Sequence, residues 1–332
     1  MELIPAIPAP DFKQISSWKN SEPLSVGELR GSVILLDFWT YTCIFCLRTL
    51  PLMKLLDRKY SRYGLKVIQA HSAEYEFAKS SENVANALSY FSLDKIPVAL
   101  DSQNKTWEAY GNSYWPKHVL IDSNGFVRYE HSGYGRINDF EEQVRELLEE
   151  AGNNISEPLE GSDPQDEIYE IYGMHFDGVA PEICVGYSRL RKFGNRQKMK
   201  PNELNIAVDK GAHIENIVYL RGPWFWEKEG IRAGAKRNDA ASIVIKYNAA
   251  SRVHGIMGTS NKEAANTRIY LDGTPLDSNQ LGKNVNLQDG SSTCTVKHPL
   301  VYNLVNTQAI ETHEIEIVAS SANLVFYTFV FG

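Results

Sequence analysis

The sequence predicts two successive domains of different fold class, an α/β domain followed by an all-β domain. In residues 1–150, short apolar strand candidates alternate with segments of helical apolar spacing. Beyond about residue 168, short strands are separated by clusters of Gly, Asn and Ser, a pattern typical of a β-sandwich, and we predict a jelly roll. The length of 332 residues also agrees with about two domains.

The elements of the first domain follow one another from residue 33 onwards. The apolar residues 33–36 begin a strand that ends at Trp39, and residues 47–60 have the apolar spacing of a helix. The later candidates are a strand over 66–70, a helix over 82–91, a strand over 98–100, helical turns over 105–110, a strand over 118–121, a hairpin partner over 126–130 and a helix over 137–149. This alternation predicts the α/β domain.

A change of composition marks the boundary between the domains. Residues 151–168 are polar, acidic and rich in turn-forming residues, so we predict a linker there. The all-β domain is then expected over residues 169–332. Its strand candidates cover residues 243–247, 268–271, 300–305, 314–318 and 324–331.

Charge and hydropathy limit the partners and the compartment. The net charge of -7 and the pI near 5.7 argue against nucleic acid or an anionic membrane as the main partner. No apolar run approaches the roughly 18 residues that span a bilayer, and the first residues have no signal-peptide pattern. The sequence as it stands therefore predicts a cytoplasmic protein, or an extracytoplasmic one if an export segment was removed.

The most informative motif is the C-x-x-C formed by Cys43 and Cys46. It lies between the strand ending at Trp39 and the helix that follows, where the positive end of the helix dipole favours a thiolate. The two-residue spacing lets the sulfur atoms meet across one helical turn. We therefore expect a redox-active Cys43–Cys46 disulfide and no other cofactor. For Cys184 and Cys294 we expect small buried side chains, with a disulfide between them as the alternative.

The residues around the cysteine pair resemble the thioredoxin superfamily. Asp37 lies six residues before Cys43, Trp39 lies four before it, and Pro51 lies five after Cys46. The pair Trp115-Pro116 stands where that superfamily has a cis-proline facing the cysteines. Residues 9–12, 114–116 and 120–122 are similar to the TlpA/ResA-type branch. Residues 38–43 and 46–51 are similar to the soluble portion of DipZ-type proteins. DipZ-type proteins carry a second domain that resembles carbohydrate-binding modules.

This resemblance implies a thiol–disulfide oxidoreductase that reduces protein disulfides. Cys43 would attack the substrate as a thiolate, and Cys46 would resolve the mixed disulfide. Asp37 or Glu74 would accept the proton of Cys46. The substrate would contact Trp39, Phe45, Trp115 and Pro116. The expected partners are protein dithiols or disulfides and an upstream thiol that supplies electrons. Phe45 departs from the polar residue usual in DipZ-type proteins, which should alter the redox potential.

Two other interpretations concern the same motif. Thr40 and Cys43 form a T-x-x-C that resembles the peroxidatic motif of peroxiredoxins, although Leu36 stands where that motif has a proline. A thiol peroxidase is therefore an alternative. A metal site is not expected, because one C-x-x-C supplies two ligands where structural zinc usually needs four. A copper site would require His71 and His118 to approach each other.

The second domain offers an interpretation from a different functional class. Trp224 and Trp226 lie near a turn-rich segment, and aromatic rings stack on sugar faces, so the domain is a candidate glycan-binding module. Both tryptophans could instead be core residues of the sandwich, which is the interpretation we favour. A third interpretation is that the domain only docks a protein partner or dimerises.

Overall fold

The computed structural model describes residues 7–134, 137–159, 166–173, 178–190, 193–234 and 240–332. The chain divides into two compact units, Met1–Gly173 and Met174–Gly332. The first unit extends beyond the boundary predicted at residue 150, because Ile155 of the predicted linker packs into its hydrophobic core. Among the described residues, none of the helices has the length and apolar character needed to cross a membrane.

The first unit is an α/β unit built on a seven-stranded sheet. Its strands are β1 (Ile7–Pro8), β2 (Trp18–Lys19), β3 (Val33–Trp39), β4 (Leu65–Ser72), β5 (Val98–Asp101), β6 (Lys117–Ile121) and β7 (Phe126–Ser132). Its helices are α1 (Ile44–Tyr60), α2 (Ser81–Tyr90), α3 (Lys105–Ala109), α4 (Ile137–Glu150) and α5 (Glu167–Tyr172). The strand order is β1-β7-β6-β3-β4-β5-β2, with β3, β4 and β5 parallel. The strands and helices predicted from sequence are confirmed, and β1, β2 and α5 are additional.

Strand β3 supplies side chains to both faces of this sheet, because successive residues of a strand point to opposite faces. Val33 and Leu35 belong to the core beneath α1 and α4, whereas Ile34 and Phe38 belong to the core on the other face. By the same alternation Asp37 lies on the α1/α4 face. The fold thus places one carboxyl group under the helix that begins at the cysteine pair.

The second unit consists of strands in its described part. They are β8 (Ile183–Cys184), β9 (Leu204–Ala207), β10 (Val218–Trp226), β11 (Ile231–Ala233), β12 (Ala241–Thr259), β13 (Ala265–Leu271), β14 (Thr274–Pro275), β15 (Val285–Gln288), β16 (Ser291–Val296), β17 (Leu300–Ala319) and β18 (Leu324–Phe331). The sheet order is β15-β16-β13-β17-β12-β10-β11-β18-β8, with β9 beside β10 and β14 beside β13.

The two longest strands differ from the sequence prediction. Residues 300–305 and 314–318 were expected to be separate strands, but both belong to the 20-residue strand β17. The polar residues between them stay in the strand because β17 pairs with β12, which has 19 residues. Register shifts in β12 between Tyr247 and His254 show that this ladder is irregular at its middle. Polar composition alone therefore gave the wrong element boundary.

Candidate active site

The cysteine pair lies at the N-terminus of α1. Cys43 is the N-cap residue, with φ of -91° and ψ of 115°, and its Sγ accepts the backbone N–H of Cys46 at 3.4 Å. Cys43 is partly exposed, whereas Cys46 has no exposed surface, and both are free thiols. The helix begins at Ile44, three residues earlier than its apolar spacing suggested. The accessible sulfur is therefore that of Cys43.

The environment of Cys46 opposes its ionisation. Burial raises the pKa of this thiol well above its usual range, and the hydrogen bond and the charge of Cys43 add to the effect. The negative charge of Asp37 acts in the same direction. Cys46 consequently needs a proton acceptor nearby before it can act as a thiolate.

Asp37 is the buried acid of the site and is held by the two strands that flank β3. Gln69 of β4 and His118 of β6 are its register partners. Nε2 of Gln69 donates to Oδ2 of Asp37 at 3.0 Å, and Nε2 of His118 lies 3.4 Å from Oδ1. Burial raises the pKa of Asp37 to about 7, while the Gln69 hydrogen bond opposes the increase. A carboxyl group with this pKa can take up and release a proton near neutral pH.

Glu74 is connected to the loop that precedes Cys43. Its Oε2 accepts a hydrogen bond from Oγ1 of Thr42 at 3.1 Å, and Thr42 lies 3.2 Å from Oγ1 of Thr40. Thr40 in turn lies 3.5 Å from Nε2 of His71. The structure thus brings Glu74 into direct contact with Thr42, the residue before Cys43. Sequence reasoning did not identify this contact or the hydroxyl contacts that continue from Thr42 to Thr40.

The two histidines considered for copper have other surroundings. His71 stacks on Tyr41 with ring centroids 5.3 Å apart, and burial lowers the pKa of His71 to about 3. His71 lies on β4, whereas His118 lies on β6, the strand on the opposite edge of β3. His118 faces Asp37 there, with Nε2 3.4 Å from Oδ1. In the part of the chain that the structure describes, no group of three His, Cys, Asp or Glu residues is arranged to hold a metal ion.

The peptide bond between Trp115 and Pro116 is cis, as the sequence resemblance implied. Trp115 is partly exposed and stacks on Trp107, with ring centroids 4.3 Å apart. Pro116 is buried, and its carbonyl oxygen accepts the N–H of Gly133 at 2.8 Å.

Trp39 has no exposed surface, so the structure corrects its predicted role as a substrate contact. This side chain packs beneath the site and offers no surface to a substrate.

Phe45, between the cysteines, is the most exposed side chain of the motif, at 36%. The guanidinium of Arg48 lies 4.9 Å from the centre of its ring. Arg48 itself is buried, and its Nε donates to the carbonyl oxygen of Tyr172, the last residue of α5, at 2.6 Å. Sequence reasoning missed Arg48, although a single charged residue among the otherwise uncharged residues 44–53 was a usable signal.

Trp224 and Trp226 are core residues of the second unit. Trp224 has no exposed surface and donates its indole N–H to the carbonyl oxygen of Arg221 at 3.0 Å. Trp226 is 8% exposed and donates to the carbonyl oxygen of Val185 at 2.9 Å. Their ring faces are not available to a sugar in this structure, which agrees with the interpretation of both tryptophans as core residues and not with their alternative role in glycan binding.

The other two cysteines are also free thiols, so the alternative of a Cys184–Cys294 disulfide does not hold in this structure. Cys294 is fully buried, as expected. Cys184 is only partly buried, and its sulfur accepts a hydrogen bond from Nη1 of Arg189 at 3.4 Å.

Two family models match this chain, one in each unit. The model described as Redoxin matches residues 6–148, and the model described as Thioredoxin like C-terminal domain matches residues 180–332. Together they account for the two-part architecture.

The chain is also similar to curated proteins. Protein DipZ of Mycobacterium bovis and of Mycobacterium tuberculosis are each 33% identical to it over 278 residues, which cover 80% of this chain and 37% of theirs. The chain thus spans little more than a third of these relatives. Thiol-disulfide oxidoreductase ResA of Bacillus thuringiensis is 30% identical over 142 residues, 43% of this chain and 73% of that protein. A solved structure of a thioredoxin-like superfamily protein, SPOA0173, is 26% identical to this chain. The match covers 43% of this chain and 97% of that protein, with a TM-score of 0.41.

Proposed function

This chain belongs to the thioredoxin superfamily as a DipZ-like protein, and we propose that it reduces protein disulfides through the Cys43–Cys46 dithiol. It is a thiol–disulfide oxidoreductase. The observation that carries the proposal is the pairing of a partly exposed Cys43 at the start of α1 with a fully buried Cys46 one turn later. This arrangement gives one sulfur to the substrate and reserves the other for the resolving step.

The reaction consists of two exchanges at sulfur. The Cys43 thiolate attacks one sulfur of the substrate disulfide, which forms a mixed disulfide and releases the first substrate thiolate. Cys46 then loses its proton to Asp37 and attacks Sγ of Cys43, which releases the second substrate thiolate. Two electrons pass to the substrate, the Cys43–Cys46 disulfide remains, and solvent protonates the released thiolates. No cofactor besides this disulfide takes part.

The remaining site residues have supporting roles in this proposal. Glu74 orders the loop before Cys43 through Thr42, and it is the second candidate to accept the Cys46 proton. Phe45 and Trp115 present partly exposed aromatic surface to the substrate. Pro116 supplies the backbone next to which the substrate binds.

The catalytic cycle closes only if another dithiol reduces the Cys43–Cys46 disulfide. We propose an upstream thiol donor as the second partner. Ile44 and Phe45 offer no donor side chain to stabilise the Cys43 thiolate, which favours a reductant over an oxidant. The thiol donors available in the cytoplasm differ from those available outside it. Cell fractionation, combined with covalent trapping of the donor on this protein, therefore identifies the compartment.

For the second unit we propose a jelly-roll sandwich that resembles carbohydrate-binding modules in architecture. Its strand-rich sheet and its C-terminal family match support a β-rich domain. The burial of Trp224 and Trp226 gives no support to glycan binding through these residues. The proposed role is contact with a protein partner.

Replacement of the attacking thiol tests the proposed function. Reduction of a protein disulfide such as that of insulin, with dithiothreitol as donor, should be lost in Cys43→Ser. The matched control is Cys184→Ser, which removes a partly buried free thiol of the second unit and should retain activity. Full activity of Cys43→Ser would show that the motif is not the redox centre.

A further inference from the structure

Two buried polar atoms face each other beneath the cysteine pair. Oδ1 of Asp37 and Nε2 of His118 are 3.4 Å apart. Within the described residues neither atom has a hydrogen-bond partner, although both side chains are more than nine-tenths buried. The other carboxyl oxygen of Asp37 is satisfied by Gln69. Because a buried polar atom without a partner is costly, the apposition of these two indicates a shared role.

We propose that His118 is a positioning residue for the proton acceptor: its Nε2–H donates to Oδ1 of Asp37 and favours the carboxylate that takes the proton of Cys46. This inference rests on the proposed function of the dithiol. With Gln69 on one oxygen and His118 on the other, each oxygen of the carboxylate has one donor from a neighbouring strand. A shortening of a few tenths of an ångström brings the His118 contact to ordinary hydrogen-bond length.

The surroundings keep His118 neutral. Burial lowers the pKa of His118 to about 3, and His131 adds to this decrease. Strand β7 contributes His131, whose ring is parallel to that of His118 with centroids 6.3 Å apart, and α4 contributes the apolar ring of Phe140 at 5.4 Å. Strand β3 contributes Asp37.

A neutral donor suits a group that must change its charge in every cycle. A lysine or arginine at this position would hold the carboxylate permanently ionised. A neutral imidazole stabilises the carboxylate by one hydrogen bond and no net charge. In the resolving step the proton of Cys46 moves to the Asp37 carboxylate, and the freed sulfur electron pair forms the bond to Sγ of Cys43. The bond between Sγ of Cys43 and the substrate sulfur breaks at the same time, and the substrate leaves as a thiolate. His118 keeps its own proton throughout, and the substrate disulfide is the oxidant.

Two substitutions at His118 separate donation from packing. In the reduced protein, the Asp37 carboxyl carbon is followed by NMR as a function of pH. His118→Leu removes the donor and should raise the pKa of Asp37 by about 1–2 pH units, the size of a hydrogen bond to a charged group. His118→Gln retains a hydrogen-bond donor and should leave the pKa of Asp37 within about half a pH unit of its value in the parent protein. His131→Leu is the matched control and should leave the pKa of Asp37 within the same range.

The pH profile of disulfide reduction provides the second readout. In His118→Leu the pH profile should shift to higher pH by about 1–2 pH units, as the pKa of Asp37 does. In His118→Gln the profile should not shift. An unchanged Asp37 titration in a folded His118→Leu protein would overturn the inference. Because the titration needs no substrate, it decides the inference even if Cys43→Ser keeps activity and the proposed function fails.

A measurement on the unmodified protein covers the case in which His118→Leu does not fold. The ¹⁵N chemical shifts of the His118 ring should report a neutral imidazole protonated at Nε2 from about pH 5 to about pH 9. A ring protonated at Nδ1 alone, or a doubly protonated ring in this range, would contradict the proposal.

Discussion

The backbone N–H of Cys46 donates to Sγ of Cys43 across 3.4 Å, which ties the two sulfur-bearing residues together at the first turn of α1. The Cys43 residue itself is partly exposed at this turn. The same turn buries Cys46. One local structure therefore prepares one cysteine to attack and keeps the other protonated until it is needed.

Replacement of Cys46 should arrest the reaction halfway. Cys46→Ser retains the attacking thiol but cannot resolve the mixed disulfide, so the covalent complex with a protein substrate should accumulate. Intact mass measured after alkylation under non-reducing conditions detects it. Cys43→Ser should form no such complex; equal trapping by both variants would reverse or remove the assignment of roles.

Asp37 should destabilise the protein at alkaline pH. The pKa of this carboxyl is about 7 in the folded protein and about 3.9 in an unfolded chain, so the folded state holds the extra proton between these values. The stability from this group is therefore present below about pH 4 and is lost as pH rises to about 7. Asp37→Asn should increase the free energy of unfolding at pH 8 by about 2–4 kcal/mol, with the gain shrinking towards pH 4.

Urea denaturation at several pH values measures this effect. The exposed Asp277 provides the control, because Asp277→Asn should change the free energy of unfolding little at any pH. The same Asp37→Asn protein should also resolve mixed disulfides more slowly. A variant less stable than the parent at pH 8 would contradict the buried-acid account.

Phe45 should contribute to substrate binding rather than to chemistry. Its ring is partly exposed beside the attacking sulfur, and Phe45→Ala removes apolar surface worth about 1 kcal/mol in contact with a protein substrate. KM for a protein disulfide should rise about fivefold with kcat nearly unchanged. A small aromatic-free disulfide should show no such change, and a fall in kcat alone would place Phe45 in the chemical step.

Trp224 should matter for stability and not for sugar recognition. Trp224→Ala removes a fully buried indole and should lower the free energy of unfolding of the second unit by about 3–5 kcal/mol. Thermal unfolding followed by circular dichroism measures the loss. On a glycan array the intact protein should give no signal that depends on Trp224; a signal lost on substitution of a still-folded protein would restore the glycan-binding interpretation.

The sequence predicted those features of the site that depend on local spacing. Cys43, Cys46 and Asp37 lie within ten residues of one another, so a motif and the position of a helix start were sufficient. The partners of Asp37 were not predictable in this way. Gln69 and His118 reach it through the register of two other strands, which depends on packing across the sheet.

The second unit shows the same limit. The middle of strand β17 is polar, a pattern that predicts a loop. Its pairing with β12 keeps this segment extended. The burial of Trp224 likewise depends on which face of β10 the core covers, which composition does not reveal. Local patterns therefore predicted the element types of both units better than the roles of individual aromatic residues.

The most direct test of the central claim is a redox titration of the Cys43–Cys46 pair in dithiothreitol or glutathione buffers, read by alkylation mass. We expect one reversible two-electron transition at a low potential, near the roughly -270 mV of thioredoxin, as required of a reductase. Absence of a reversible disulfide between these two cysteines would contradict the oxidoreductase assignment. A potential near the roughly -120 mV of strong oxidants would contradict the proposed direction of the reaction.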